Sequence, residues 1–283
     1  MTNALIADRD RFAAQHPEQR IELNGREWGY IDVGTGPVLL LIPGTLGRCD
    51  IFWQQIEALS GRLRIIATSY PATGGVADWA KDIVALMDHL NVPQATILGS
   101  SLGGYLAQYI SGKTPDRVTQ LVGANTLHSG RGLDQRPPYS LDLENGPIEE
   151  LRAGFGTGLE GWRTAHPDQS ELVDLLLMEV GGRIPEPELR SRLLALKHAP
   201  DLPDLAIPQD RTVTIEADDD PLIPDTMRAA VRERLRPHIV YRFLDGGHFP
   251  YIARPDAYTA LLEQVMQIDV TGPDWGSAPE RVL

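Results

Sequence analysis

The sequence is short of cysteine and of positive charge, and each shortage excludes something. A single cysteine, Cys49, cannot form an intrachain disulfide or a multi-cysteine metal site, and it fits a reducing compartment. Lys and Arg number 26 against 39 Asp and Glu, a formal net charge of −13. Phosphate backbones and anionic membrane surfaces both require clustered cations, so neither nucleic acid nor membrane is expected as a partner. No long apolar run occurs, which leaves no candidate for a transmembrane helix. The opening residues include Asp8, Arg9 and Asp10 and do not read as a secretory signal, so a soluble, cytoplasmic protein is expected.

What remains is the composition of an ordinary globular protein. Hydrophobic residues at 42% over 283 positions suit one large α/β domain, or such a core carrying an insertion. Asn24-Gly25 between two alternating runs predicts a hairpin over residues 21–33. Val38–Ile42 is continuously apolar, as in a strand buried on both faces of a parallel sheet. Further strands are predicted at 64–67, 96–98, 118–124, 212–215 and 239–244, alternating with helices whose clearest example is 76–90. Between residues 127 and 206 helical patterns recur without strands, at 148–155, 171–180 and 187–196. The expected organisation is therefore a core of residues 1–126, a helical cap insertion of 127–206, and a second core part of 207–283. This last part ends in a surface tail from residue 270. Alternating strands and helices imply a mostly parallel sheet with helices on both faces.

Within that frame, Gly99-Ser100-Ser101-Leu102-Gly103 fits G-x-S-x-G between a predicted strand and a predicted helix. A turn this tight brings strand and helix backbones together, which explains glycine at 99 and 103. It also presents Ser101 as the candidate nucleophile. A serine hydroxyl needs a base to take its proton, and the base needs an orienting acid. His248, on the loop Gly246-Gly247-His248-Phe249-Pro250 after a strand, is the candidate base. The strand at 212–215 runs into Asp218, Asp219 and Asp220; all three are placed to orient an imidazole, Asp220 being taken first and Asp219 second. The order serine, aspartate, histidine is the one the α/β-hydrolase arrangement requires. The backbone N–H of Leu102, at a helix start, is one candidate oxyanion donor, and the N–H of Thr45 in the Gly44-Thr45-Leu46 turn is the other. Trp53, Tyr70, Asn125 and His128 lie near strand ends and are candidate pocket residues.

Together these residues resemble the α/β-hydrolase superfamily with an inserted cap, over about residues 21–267. The elbow matches Gly99–Gly103, the histidine loop matches Gly247–Pro250, and an Asp followed by three residues and then a Pro matches Asp220–Pro224. The resemblance thereby selects Asp220 among its neighbours. One departure is Pro43-Gly44, where many members have His-Gly. Asp50–Ile56, Gly103–Gln108 and Phe249-Pro250-Tyr251 are further similar to the maspardin group, regarded as binding or adaptor proteins with an incomplete catalytic set. Here all three positions carry candidates. The resemblance implies a serine hydrolase of an ester, thioester or related small acyl substrate, with no metal or organic cofactor. The alternatives are a maspardin-like binding protein, or the same triad used for C–C hydrolysis, perhydrolysis or acyl transfer.

Overall fold

In the computed structural model, which describes residues 3–283, the strands decide the layers. Successive side chains of β3 (Val38–Ile42) point to opposite faces: Leu39 and Leu41 enter one core, Leu40 and Ile42 the other. A strand apolar on both faces must be covered on both. Among the described residues nine strands form one sheet in the order β1-β2-β4-β3-β5-β6-β7-β8-β9. They are β1 (Gln19–Leu23), β2 (Arg26–Gly34), β3, β4 (Arg64–Ser69), β5 (Ala95–Ser100), β6 (Val118–Ala124), β7 (Thr212–Ala217), β8 (Ile239–Phe243) and β9 (Glu280–Val282). The β1–β2 and β2–β4 pairs are antiparallel and the rest parallel. The hairpin turn takes positive φ at both Asn24 (49°) and Gly25 (77°), which is why that dipeptide stands there.

Helices α1 (Ala4–Gln15), α2 (Trp53–Leu59) and α10 (Pro255–Val265) cover one face through Phe12, Ile56 and Leu261. Helices α3 (Val76–His89), α4 (Leu102–Lys113) and α8 (Asp225–Leu235) cover the other through Ile83, Leu106 and Val231. Each such side chain, fully buried, contributes about 1.5–3 kcal/mol. Three helices lie between β6 and β7: α5 (Ile148–Ala165), α6 (Ser170–Met178) and α7 (Glu186–Lys197), with a π-helical turn at Glu179–Arg183. A short α9 (Pro250–Ala253) precedes α10. No helix of the described residues is long and apolar enough to cross a membrane.

Strand order reverses at β3: its neighbours are β4 on one side and β5 on the other. The crevice above the C-terminal ends of β3 and β5 is where open α/β sheets accommodate ligands. Both the Gly44 turn and Ser101 follow those two ends directly.

Cys49–Phe52 forms a 3₁₀ turn, and the buried Asp50 carboxylate within it accepts from Arg183. Two expectations need correction. The helix expected over 148–155 runs to Ala165, its second half obscured in sequence by Gly154, Gly156, Gly158 and Gly161. The segment after residue 270 is not a plain surface tail. Trp275 is buried edge-on against Tyr241 and Phe243, its indole N–H donates to Ala257 O, and β9 adds a parallel edge strand to β8.

Candidate active site

Ser101 sits between β5 and α4 with φ 53° and ψ −117°, outside the regions an L-residue ordinarily occupies. A conformation of this kind costs on the order of 1–3 kcal/mol and persists only where neighbours enforce it. They do so here. The Ser101 N–H donates to Ala124 O at 2.9 Å, and the Thr126 hydroxyl donates to Ser101 O at 2.7 Å. A Cβ on Gly103 would stand 2.2 Å from Ile42 O, and one on Gly99 2.0 Å from Gly103 O, so strand and helix can meet only through glycine. Leu102 opens α4, and its N–H belongs to the helix start.

The turn after β3 approaches from the other side. A Cβ on Gly44 would lie 3.1 Å from Ser101 Cβ and 3.8 Å from its Oγ. Gly47 N–H donates to Gly44 O at 3.1 Å. In a trans peptide the C=O and the following N–H point opposite ways, so this bond sets the direction of the Thr45 N–H. The Thr45 hydroxyl lies against that of Tyr139, whose ionisation burial pushes up to about 12, the threonine pulling slightly the other way.

At the end of β7 the three aspartates have three different tasks. Asp218 pairs with Arg242 at 3.2 Å. Asp219 accepts from the N–H groups of Gly246 and Gly247, at 3.1 and 2.8 Å, and so holds the histidine loop by its backbone. Asp220 faces His248 itself: Nδ1 lies 2.8 Å from Oδ2 and 3.0 Å from Oδ1. Asp220 Oδ1 also accepts from Leu222 and Ile223 N–H, and Oδ2 from the Asn125 amide at 2.9 Å. Burial alone would raise this carboxyl's pKa, but His248, Asn125 and the Leu222 N–H together hold it below the ordinary carboxylate value. An ionised carboxylate only accepts, so the proton belongs on Nδ1 and Nε2 is left free to take another.

Sequence reasoning placed Asn125 in the substrate pocket; the structure gives it other work. Its amide bridges Asp220 Oδ2 and, at 3.3 Å, Gly247 O, tying the acid turn to the histidine loop. Asn125 N–H donates to Ile215 O, and its neighbour Ala124 accepts from Ser101. One hydrogen-bonded frame therefore spans the ends of β5, β6, β7 and β8. Among the described residues no hydrogen bond joins Ser101 Oγ to His248; such contacts commonly tighten only with substrate present.

The remaining pocket candidates are dispersed. Trp53 is buried in the core beside Phe52 and Ile56. Tyr70 is fully buried; its hydroxyl donates to Pro43 O at 2.7 Å and its ring meets Trp28 and Trp79. His128 is exposed in a surface groove with Gln209, Arg234 and Arg236, beside the starts of β7 and β8 and so at the opposite rim of the sheet. Leu127, just before His128, is buried in the core that α4 also enters, and its carbonyl accepts from Gln108 of α4. A residue the sequence did not single out stands nearer: the Trp162 ring of α5 would be 2.7 Å from a Cβ on Gly247, adjacent to His248. Among the described residues no three His, Cys, Asp or Glu side chains converge as a metal site requires.

A glycine-framed serine, a carboxylate-held imidazole and a close-packed turn thus lie at one rim of a mostly parallel α/β sheet. The chain belongs to the α/β hydrolase fold family, whose sequence profile matches residues 37–255. Among individual proteins, it is 25% identical to mouse maspardin over 280 residues, covering 90% of this chain and 84% of maspardin. It is 29% identical to 3-oxoadipate enol-lactonase 2 of Acinetobacter baylyi over 270 residues, covering 88% and 94% respectively. A solved esterase from Thermogutta terrifontis superposes with a TM-score of 0.73 at 22% identity, covering 88% of this chain and 98% of the esterase.

Proposed function

We propose that the protein is a serine hydrolase cleaving a small acyl substrate, an ester, thioester or cyclic ester, through an acyl-enzyme. The observation that carries this reading is the pairing of His248 Nδ1 with both oxygens of Asp220, at the sheet rim that also holds Ser101. In this mechanism Ser101 Oγ attacks the carbonyl carbon while His248 Nε2 takes its proton. The C=O pair moves onto oxygen, and the N–H groups of Leu102 and Thr45 stabilise that oxyanion. Collapse expels the leaving group, which receives the proton from His248. Water, deprotonated by the same imidazole, then attacks the acyl-enzyme and releases the acid, restoring Ser101. Asp220 remains ionised and holds the imidazolium. No metal or organic cofactor enters.

Residues 127–206 act as the cap that selects the acyl group, a reading supported by Trp162 lying over Gly247. The similarity to an enol-lactonase across nearly its whole length favours a cyclic or otherwise compact ester. A cytoplasmic location accompanies this reading, supported by the single, buried, free Cys49.

The similarity to maspardin supports a second reading, a pocket that binds without turnover. A fluorophosphonate probe separates the two. The hydrolase becomes labelled, and Ser101→Ala abolishes both labelling and ester turnover, lowering kcat by on the order of 10⁶-fold. Folded protein that neither takes the probe nor turns over p-nitrophenyl or thioester acyl series favours the binder.

A further inference from the structure

We infer that Arg192, on α7, is a positioning residue that holds the turn carrying the Thr45 N–H in its oxyanion-binding geometry. The inference rests on the hydrolase reading above and concerns the same site. Arg192 Nη1 donates to two carbonyls of that turn, Thr45 O at 2.9 Å and Gly47 O at 2.8 Å. Nη2 donates to Glu188 Oε2 at 3.2 Å, one helical turn back along α7. The guanidinium lies 5.2 Å from the centre of the Tyr70 ring, and the Tyr70 hydroxyl donates to Pro43 O. The carbonyls of Pro43, Gly44, Thr45 and Gly47 therefore each have a donor, and two of these four bonds come from one side chain.

The geometry follows from peptide planarity. For the Thr45 N–H to face an oxyanion, Gly44 O must point the other way, toward Gly47 N–H. That bond survives only while residues 45–47 stay closed into a turn, and Arg192 bridges the first and last of them. Without the guanidinium, the Thr45 and Gly47 carbonyls lose their buried donor; a turn that opens to find them another gives up the Gly47 N–H to Gly44 O bond and releases the Gly44–Thr45 peptide, which carries the Thr45 N–H.

Simple packing does not account for an arginine here. Its side chain is fully buried, Nε has no hydrogen-bond partner, and burial lowers its pKa to about 10 against the opposing pull of Glu188. A leucine or methionine would fill such a position without that penalty but would supply no donor. The neighbouring turn, with a glycine packed against Ser101, is what those donors serve.

The test uses the full chain and p-nitrophenyl acetate, with a trifluoromethyl ketone as transition-state analogue. In folded Arg192→Met, kcat should fall by about 10²-fold, as when one oxyanion donor is lost, while KM moves by less than about threefold. Inhibition by the ketone, whose adduct bears the oxyanion, should weaken in proportion to kcat/KM. Arg192→Lys, which keeps a charge and a donor but not the fork, should give an intermediate kcat at unchanged KM. An unaltered kcat, or a raised KM with kcat and ketone affinity retained, overturns the inference. If the methionine variant does not fold, the lysine variant decides: lowered kcat at constant KM supports the role, and wild-type kcat rejects it. Wild type inert toward both esters and fluorophosphonate overturns the hydrolase reading itself, whereas active wild type with indifferent variants overturns only the part given to Arg192.

Discussion

Asn125 adopts φ 42°, a left-handed conformation that asparagine tolerates better than most residues. That turn of the chain points its amide at Asp220 and Gly247 instead of at solvent. A hydrogen bond to an ionised group is worth about 1.5–3 kcal/mol, so Asn125→Ala should destabilise the fold by roughly that amount near neutrality. The sign of its pH dependence follows from Asp220. The folded pKa of that carboxyl is depressed, so the associated stability is fully present above the unfolded value of about 3.9 and is lost as pH falls through the folded value. Denaturant midpoints of wild type and variant should therefore converge below about pH 4. A stability gap that widened toward acid would mean that Asn125 does not help to hold the carboxyl ionised. The residue scale is also where sequence reading was most uneven. Three adjacent aspartates carry no local difference in chemistry, and only the Asp220–Pro224 spacing of the resemblance set one apart; the separate tasks of Asp218 and Asp219 become visible once β8 brings Arg242, the Gly246–Gly247 backbone and His248 against them. Asn125 carried no local signal either, because its partners lie 95 and 122 residues away.

Elements were more legible where they carry their own period. Val38–Ile42 can be bounded from composition alone, since a strand buried on both faces is apolar throughout; Val118–Ala124 keeps that pattern only from Leu121 onward, Thr119 being exposed and Gln120 half-buried. The C-terminal segment has no such signature. Its strand is three residues long, and it is fixed by a partner, β8, and by one tryptophan. Trp275 packs edge-on at 5.3 Å from Tyr241 and 4.9 Å from Phe243, closing the outer end of the sheet. Trp275→Ala should cost about 3–5 kcal/mol, the range for a large aromatic removed from a core. It should also raise amide hydrogen exchange in β8 ahead of β3 and β5. A change below about 1 kcal/mol would show instead that the segment merely lies on the surface. Because β8 leads into the His248 loop, loss of this support should lower ester turnover even at temperatures where the variant remains folded.

At the scale of the whole molecule, the deficit of cations sets a long-range field that also acts on small charged substrates. Three cations on or against the segment after β3 are spent within the protein: Arg192 on the Thr45 and Gly47 carbonyls, Arg183 on Asp50 and Glu179, Arg48 on Glu18. An approaching anion thus meets the field of a chain with net charge −13, with no free guanidinium among these three to offset it. At about 10 mM salt that field reaches roughly 30 Å, and at 0.1 M only about 10 Å. Between these concentrations kcat/KM for an ester bearing a carboxylate should rise several-fold, chiefly through faster association, while a neutral ester with the same acyl group should hardly respond. The matched pair removes any general effect of salt on the fold. If kcat/KM for the charged ester fell with added salt, a positive local field would be guiding it in, and the long-range charge would not govern selection. The ion pairs of Arg183 and Arg48 would then be the first to examine, since a carboxylate substrate could compete with Asp50 or Glu18 for either guanidinium.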